Sequence, residues 1–199
     1  MPIELVIVQH AEKRAEPGDP GLTDLGRKQA AAAATFLART EWNALYCSPL
    51  RRARETAVAI GEACALDVSI DDRLRERMNW GSNAHAQTLD AFQADWRRAT
   101  ADRSWTPPSG DSSSATGARF LAAINAFAAA AGPRVLVVSH GGATVDLLRT
   151  LFGDDEVAAV APTAMHDGVP SCARTHLAFD RTWRLVHFAS DADFRSQAQ

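Results

Sequence analysis

Two short apolar runs constrain this chain more than any other feature: Leu5-Val6-Ile7-Val8 near the start and Val135-Leu136-Val137-Val138 far downstream. Uninterrupted apolar stretches of this length, rich in Val and Ile, predict strands buried on both faces, and such strands belong to parallel sheets covered by helices. Both runs lead into a histidine, through Gln9-His10 and through Ser139-His140-Gly141-Gly142. In an open parallel sheet the carboxyl ends of adjacent strands border the crevice where ligands bind. Two imidazoles delivered there would lie side by side although far apart in sequence. An imidazole can act as nucleophile or proton carrier near neutral pH, so the pair points to group transfer. The alternative is two unrelated loop histidines, and the repeated strand-His context argues against it.

The rest of the chain supplies the matching helices. Thr23 is a plausible N-cap for a helix running to about Arg39, and Leu25, Ala33, Phe36 and Leu37 fall near one of its faces. A short strand over Ala44–Cys47 leads through Ser48-Pro49 to a helix over about Leu50–Ala63, and Val68–Ile70 predicts a third strand. Helices are expected over Leu89–Ala99 and Ala115–Ala131. Val145, Leu148, Leu151 and Phe152 give the helix after His140 an apolar face, and Thr175–Asp180 and Trp183–Phe188 would pair as the last strands. The expected fold class is therefore α/β: a three-layer sandwich with a mainly parallel central sheet and helices on both faces. Between about 78 and 117 the turn-rich stretch Trp105 to Ser114 predicts a small cap insertion over the sheet edge.

Composition bounds what such a fold could do. With 199 residues and 46% hydrophobic content the chain can bury a sizeable core and falls in the size range of one domain, expected over 1–199. A net charge of -3 gives no whole-protein attraction to nucleic acid or anionic lipid, so neither is expected as a partner. Basic residues cluster locally at Arg51-Arg52-Arg54 and Arg73-Arg75-Arg77, where they could serve an anionic small molecule. Cys47, Cys64 and Cys172 are odd in number and lack CxxC spacing, which disfavours a disulfide framework or a zinc knuckle and suits reduced cytosolic thiols. The amino terminus lacks a basic n-region, and no stretch approaches the ~18 apolar residues of a membrane span. A soluble, cytoplasmic protein is expected.

Six blocks in order carry a family resemblance. Val8-Gln9-His10-Ala11-Glu12, Leu22-Thr23-Asp24-Leu25-Gly26, Ser48-Pro49-Leu50-Arg51-Arg52-Ala53-Arg54-Glu55-Thr56-Ala57, Leu74-Arg75-Glu76, Pro108-Ser109-Gly110-Asp111-Ser112 and Ser139-His140-Gly141-Gly142 span residues 3 to about 152. The chain resembles the histidine phosphatase superfamily, which includes the cofactor-dependent phosphoglycerate mutases. The resemblance implies a phosphomonoesterase acting on a small phosphorylated substrate through phosphorylated His10, with no cofactor and no metal. It makes His10 the nucleophile and Arg52 the guanidinium fork that holds the phosphoryl oxygens. His140 would be an imidazolium donor to the same oxygens. Glu76 would protonate the leaving oxygen and then activate water. Thr23 matches a phosphate-pocket neighbour, a role that competes with its N-cap reading, and Gly141 would bring helix amides to the anion.

Departures from the family pattern frame the alternatives. The family usually has Arg before the nucleophilic histidine and Gly after it, where this chain has Gln9 and Ala11; Asp111 replaces the usual Glu. Gln9 would contribute neutral donors to the phosphate in place of a permanent cation. Losing a preorganised donor costs roughly 10²–10³ in rate, of which Gln should forfeit only part. Lys13 could return a positive charge to the pocket, or it could be an ordinary solvent-facing loop lysine. Alternatives to hydrolysis are a mutase-like phosphoryl transferase and a phosphate-binding regulatory module weakened at Gln9. A metal enzyme using His10, Glu12 and His140 lacks any dedicated ligand spacing. Met78, Trp80, Trp96 and Trp105 are candidate lining residues of the cap; the substrate and the oligomeric state are not readable.

Overall fold

A computed structural model describes residues 2–82, 87–164 and 168–190. The elements are β1 (Ile3–Gln9), α1 (Asp24–Leu37), β2 (Ala44–Cys47), α2 (Arg51–Cys64), β3 (Val68–Ile70), α3 (Leu89–Ala101), α4 (Ser113–Ala130), β4 (Arg134–Ser139), α5 (Gly141–Phe152), α6 (Asp154–Val160), β5 (Arg174–Asp180) and β6 (Thr182–Ser190). The six strands form one sheet in the order β3-β2-β4-β1-β5-β6. The first four strands are parallel, whereas β5 runs antiparallel to β1 and β6 antiparallel to β5. The sheet is thus mixed: parallel where βαβ crossovers build it, antiparallel where the final hairpin adds to it.

Strand alternation explains the two covering layers. Val6, Val8, Leu45, Cys47, Leu136 and Val138 point to one face and pack with Ala34 and Leu37 of α1 and Ala53, Ala57 and Ile60 of α2. Leu5, Ile7, Val135, Val137 and Leu177 point to the other, against Phe120, Ile124 and Phe127 of α4 and Leu147 and Leu148 of α5. Because both faces are covered, the central strands are apolar at successive positions. Each fully buried Leu or Ile contributes about 1.5–3 kcal/mol relative to exposure, and truncating Leu136 to Ala would cost about 2–5 kcal/mol.

Helix starts follow local chemistry. Thr23, Thr88 and Ser112 cap α1, α3 and α4 through side-chain oxygens that accept from Gly26, Ala91 and Ala115 amides. Leu50, at the start of α2, has no capping side chain; Asp19 Oδ1 instead accepts from Arg51 N at 2.8 Å across the loop after β1.

The expected cap region holds α3 and the turn-rich stretch after it, while α4 starts at Ser113 and so takes over the end of the range. Residues 83–86 of that range lie outside the described residues. The segment entering this region is anchored to α5 by a buried ion pair: Arg77 Nη1 lies 3.2 Å from Asp146 Oδ1, with both side chains almost wholly inaccessible. Ser113 Oγ donates to the same oxygen at 2.6 Å. This corrects one expectation. The cluster Arg73-Arg75-Arg77 is not offered to a ligand, because Arg73 pairs with Asp71, Arg75 with Asp72 and Asp111, and Arg77 with Asp146. All three cysteines are free. No helix among the described residues is long and apolar enough to cross a membrane.

Candidate active site

The β1–β4 register brings the two histidines together. Gln9 is paired with Ser139, and His10 N donates to Ser139 O at 3.1 Å, so the next residue on each strand is a histidine at the same sheet edge. The ring centroids of His10 and His140 are 5.1 Å apart and edge-on. β2 ends beside them: Cys47 pairs with Val138, which sets Ser48 next to His140. The helices that follow, α2 and α5, start at this edge, and helix N-termini favour anions.

Hydrogen bonding fixes the tautomer of His10. Its Nδ1–H donates to the Ala11 carbonyl at 2.8 Å, leaving the Nε2 lone pair unprotonated. Arg52 donates its Nε–H to that lone pair at 3.2 Å, and the amide nitrogen of Gln9 approaches it at 3.3 Å. An acceptor at Nε2 requires the donor end of the Gln9 amide to face it, which leaves Gln9 Oε1 buried without a partner among the described residues. Burial, helped by the charges of Arg52 and then Lys13, lowers the His10 pKa to about 3. The imidazole is neutral, as a nucleophile must be.

Arg52 sits in the first turn of α2, buried, with one hand on His10 and the other on Asn79, whose Oδ1 accepts from Nη1 at 3.1 Å. Asn79 also donates to the Gly18 carbonyl, and Gly18 N donates to Trp80 O at 2.7 Å. The loop after β1 and the segment after Glu76 are thereby stitched together around the guanidinium. Thr56 completes the support: its hydroxyl donates to Arg52 O at 2.8 Å and accepts from Ala11 N at 3.0 Å.

His140 is fully buried, with Nε2 2.7 Å from Ser48 Oγ and Nδ1 unpartnered among the described residues. Burial first, then the charges of Arg52, His10 and Arg119, holds its pKa well below the ordinary 6.5. Burial therefore disfavours the charged form of His140, the form in which the family resemblance makes it a donor to phosphoryl oxygens.

Glu76 places Oε2 on the Gly142 amide of α5 at 3.2 Å and Oε1 on the Arg77 amide at 2.8 Å. A Cβ at Gly142 would stand 2.5 Å from the Trp96 ring and 2.7 Å from Glu76 Oε1, so any larger residue there would push these side chains aside. Gly141 packs against residue 169, where a Cβ would meet Val169 N at 3.2 Å.

Thr23 stands apart from this cluster in its bonding. Its hydroxyl accepts from Gly26 N at 2.9 Å as the α1 cap and donates to Glu12 Oε1 at 2.7 Å. Glu12 is therefore turned to Thr23. Trp96 reaches the site's rim beneath the Arg77 guanidinium, 4.2 Å from the ring centroid. Of the other candidate lining residues, Met78 is buried, Trp80 donates to Gln87 O, and Trp105 packs under Arg98. Ser48, Thr56 and Asn79 were not assigned roles from sequence. Only Ser48 carried a signal, its place directly after a strand in the same layer as the histidines.

Known proteins resemble the chain at both levels. The model of the histidine phosphatase superfamily (branch 1) matches residues 5–189. A glucosyl-3-phosphoglycerate phosphatase of Mycolicibacterium vanbaalenii is 35% identical over 167 residues, covering 75% of this chain and 74% of that protein. A probable phosphoglycerate mutase of Cronobacter sakazakii is 32% identical over 164 residues, covering 76% and 75%. Among solved structures, a mycobacterial glucosyl-3-phosphoglycerate phosphatase superposes with a TM-score of 0.76 at 27% identity, covering 96% of this chain and all of that one.

Proposed function

Because the chain belongs to the histidine phosphatase superfamily, we propose that it hydrolyses phosphate monoesters by transient phosphorylation of His10. The observation that carries this reading is the unprotonated Nε2 of His10, held toward Arg52 by a hydrogen bond from Nδ1 to Ala11. In the first step the Nε2 lone pair attacks phosphorus and the ester P–O bond breaks. Glu76 passes a proton to the departing oxygen, releasing an alcohol. Water then attacks the phosphohistidine and gives its proton to the Glu76 carboxylate. The N–P bond breaks and orthophosphate leaves.

Arg52 is positioned to exchange its bond to Nε2 for bonds to phosphoryl oxygens, following the charge as it moves. The Gln9 amide adds a neutral donor. With the Ser48 hydroxyl donating to His140 Nε2, His140 Nδ1 carries the remaining proton and becomes a donor for another oxygen. The Gly141 amide would add to this set. Thr23 acts here through the loop, by holding Glu12 and the start of α1.

The names of similar proteins suggest which substrates to try first. Purified protein should release phosphate from a panel of monoesters headed by glucosyl-3-phosphoglycerate, and should give an acid-labile phosphoenzyme absent in His10→Ala. Conversion of 3-phosphoglycerate to its 2-isomer without phosphate release would favour the mutase reading that the Cronobacter relative suggests. Ligand binding with neither turnover nor labelling would leave a phosphate-binding module.

A further inference from the structure

We propose that Arg77 and Asp146 are positioning residues of this site, a buried pair that fixes the direction in which the Glu76 carboxylate points. This rests on the reading of Glu76 as the proton carrier of the reaction. Glu76 lies between β3 and α3, in a stretch that is neither helix nor strand at that point, so no regular backbone ladder holds it. Its carboxylate is held instead by two amides, Oε1 by Arg77 N at 2.8 Å and Oε2 by Gly142 N at 3.2 Å. Where the carboxylate points therefore depends on where residue 77 stands relative to the start of α5.

A second attachment sets that spacing. Asp146 lies one helical turn beyond Gly142 on the same face of α5, and its Oδ1 accepts from Arg77 Nη1 at 3.2 Å. Residues 76 and 77 are thus fastened to α5 at two points one turn apart. The guanidinium is confined from its other sides as well: Nη2 donates to Thr100 Oγ1 at 2.8 Å, and the Trp96 ring lies beneath it, 4.2 Å away at the centroid. Asp146 Oδ1 is held in turn by Ser113 Oγ at 2.6 Å. Side chains of α3, α4 and α5 therefore all meet on this pair. A buried ion pair is a weak source of stability, because desolvation offsets most of its attraction. An apolar pair would fill the same space without imposing a single geometry on residue 77, and that geometry is what Glu76 uses.

Kinetics with two leaving groups tests this. The alkoxide of glycerol phosphate needs a proton from the acid as it departs, whereas p-nitrophenolate leaves readily without one. Glu76→Gln should therefore lose about 10²-fold or more in kcat/KM on glycerol phosphate and about 3-fold or less on p-nitrophenyl phosphate. Two further variants should show the same selectivity, with about a 10²-fold loss on glycerol phosphate alone: Asp146→Asn, which leaves the Arg77 charge unpaired, and the double variant Arg77→Met with Asp146→Leu, which removes both charges. Inhibition by inorganic phosphate should stay within about 3-fold of wild type in both, since the groups around His10 are untouched. The double variant is expected to melt within about 4 °C of wild type, which separates its loss of activity from a loss of fold.

An equal loss on both esters in Asp146→Asn would mean that the pair merely supports the fold and would overturn the proposal. Wild-type kinetics in the double variant would do the same. In either case a selective loss in Glu76→Gln would leave Glu76 as the proton carrier, so the two readings fail separately. If Glu76→Gln itself lost activity equally on both esters, the reading of Glu76 would fall and this inference with it. Asp146→Asn, which is nearly isosteric, decides the matter if the double variant does not fold.

Discussion

Arg52 and His10 share a single hydrogen bond, Nε–H to Nε2 at 3.2 Å. In the proposed reaction this bond would join the phosphate clamp to the attacking atom, so a substrate would have to replace it before reacting. It also keeps the Nε2 lone pair aimed at the crevice until then.

Removing that clamp should therefore affect binding and chemistry together. Arg52→Ala is expected to lower kcat/KM by about 10²–10³-fold. Arg52→Lys should recover little, because an ammonium cannot reproduce the fork that reaches His10 and Asn79 at once. Steady-state kinetics on a generic phosphomonoester checks both, and near wild-type activity in Arg52→Ala would remove Arg52 from the site.

Gly142→Ala separates the site from the stability of its helix. An alanine in a helix is ordinarily favourable by roughly 0.5–1 kcal/mol. Here its Cβ would press on Trp96 and on Glu76 Oε1, at 2.5 and 2.7 Å. Displacing Glu76 by a fraction of an ångström or more should cost on the order of 10²-fold in kcat. Thermal unfolding and kinetics measured on the same sample should show the activity loss outrunning any change in melting temperature.

For Thr23 the two sequence readings make different forecasts. The hydroxyl is occupied as the α1 cap and by Glu12, so Thr23→Ala should lose about 1 kcal/mol of stability and keep most of its activity. A loss of activity comparable to that of Arg52→Ala would instead put the hydroxyl on the substrate.

Acidification should destabilise the protein through its buried histidines. His10 falls from 6.5 to about 3 on folding, and His140 also falls well below 6.5. The unfolded chain thus takes up protons that the folded one refuses. The stabilisation is present above pH 6.5 and drains away as pH falls toward about 3. At pH 5 the cost from His10 alone is about 2 kcal/mol. Asp146 acts in the opposite sense: burial raises it from 3.8 to about 6, so its contribution is full below 3.8 and is lost as pH rises through 6. Denaturant unfolding at pH 7.5 and pH 5 should show a smaller difference in His10→Asn than in the wild type.

How much of this was legible in the sequence depended on whether a local pattern or a distant partner decided it. The strand ends carrying His10 and His140 could be read because each apolar run stops at its histidine, and a parallel register aligns such ends. The direction of β5 could not be read, since Thr175–Asp180 has the same composition whichever way it runs. The helix α6 was missed because Asp154–Val160 is short and starts on three acids, which reads as a polar linker. The arginines show the limit most clearly. Arg52 and Arg77 both lie in basic clusters, yet one faces His10 and the other a buried aspartate nearly seventy residues away. Only the tertiary fold brings Asp146 to Arg77.

The hydrogen bond from His10 Nδ1 to Ala11 has a regiochemical consequence. One nitrogen of the ring is spent on the backbone, and turning the ring over would break that bond inside a buried pocket. Any phosphoramidate formed on His10 is therefore the Nε2 isomer, and the phosphorus nucleus of a trapped intermediate would report a single chemical environment.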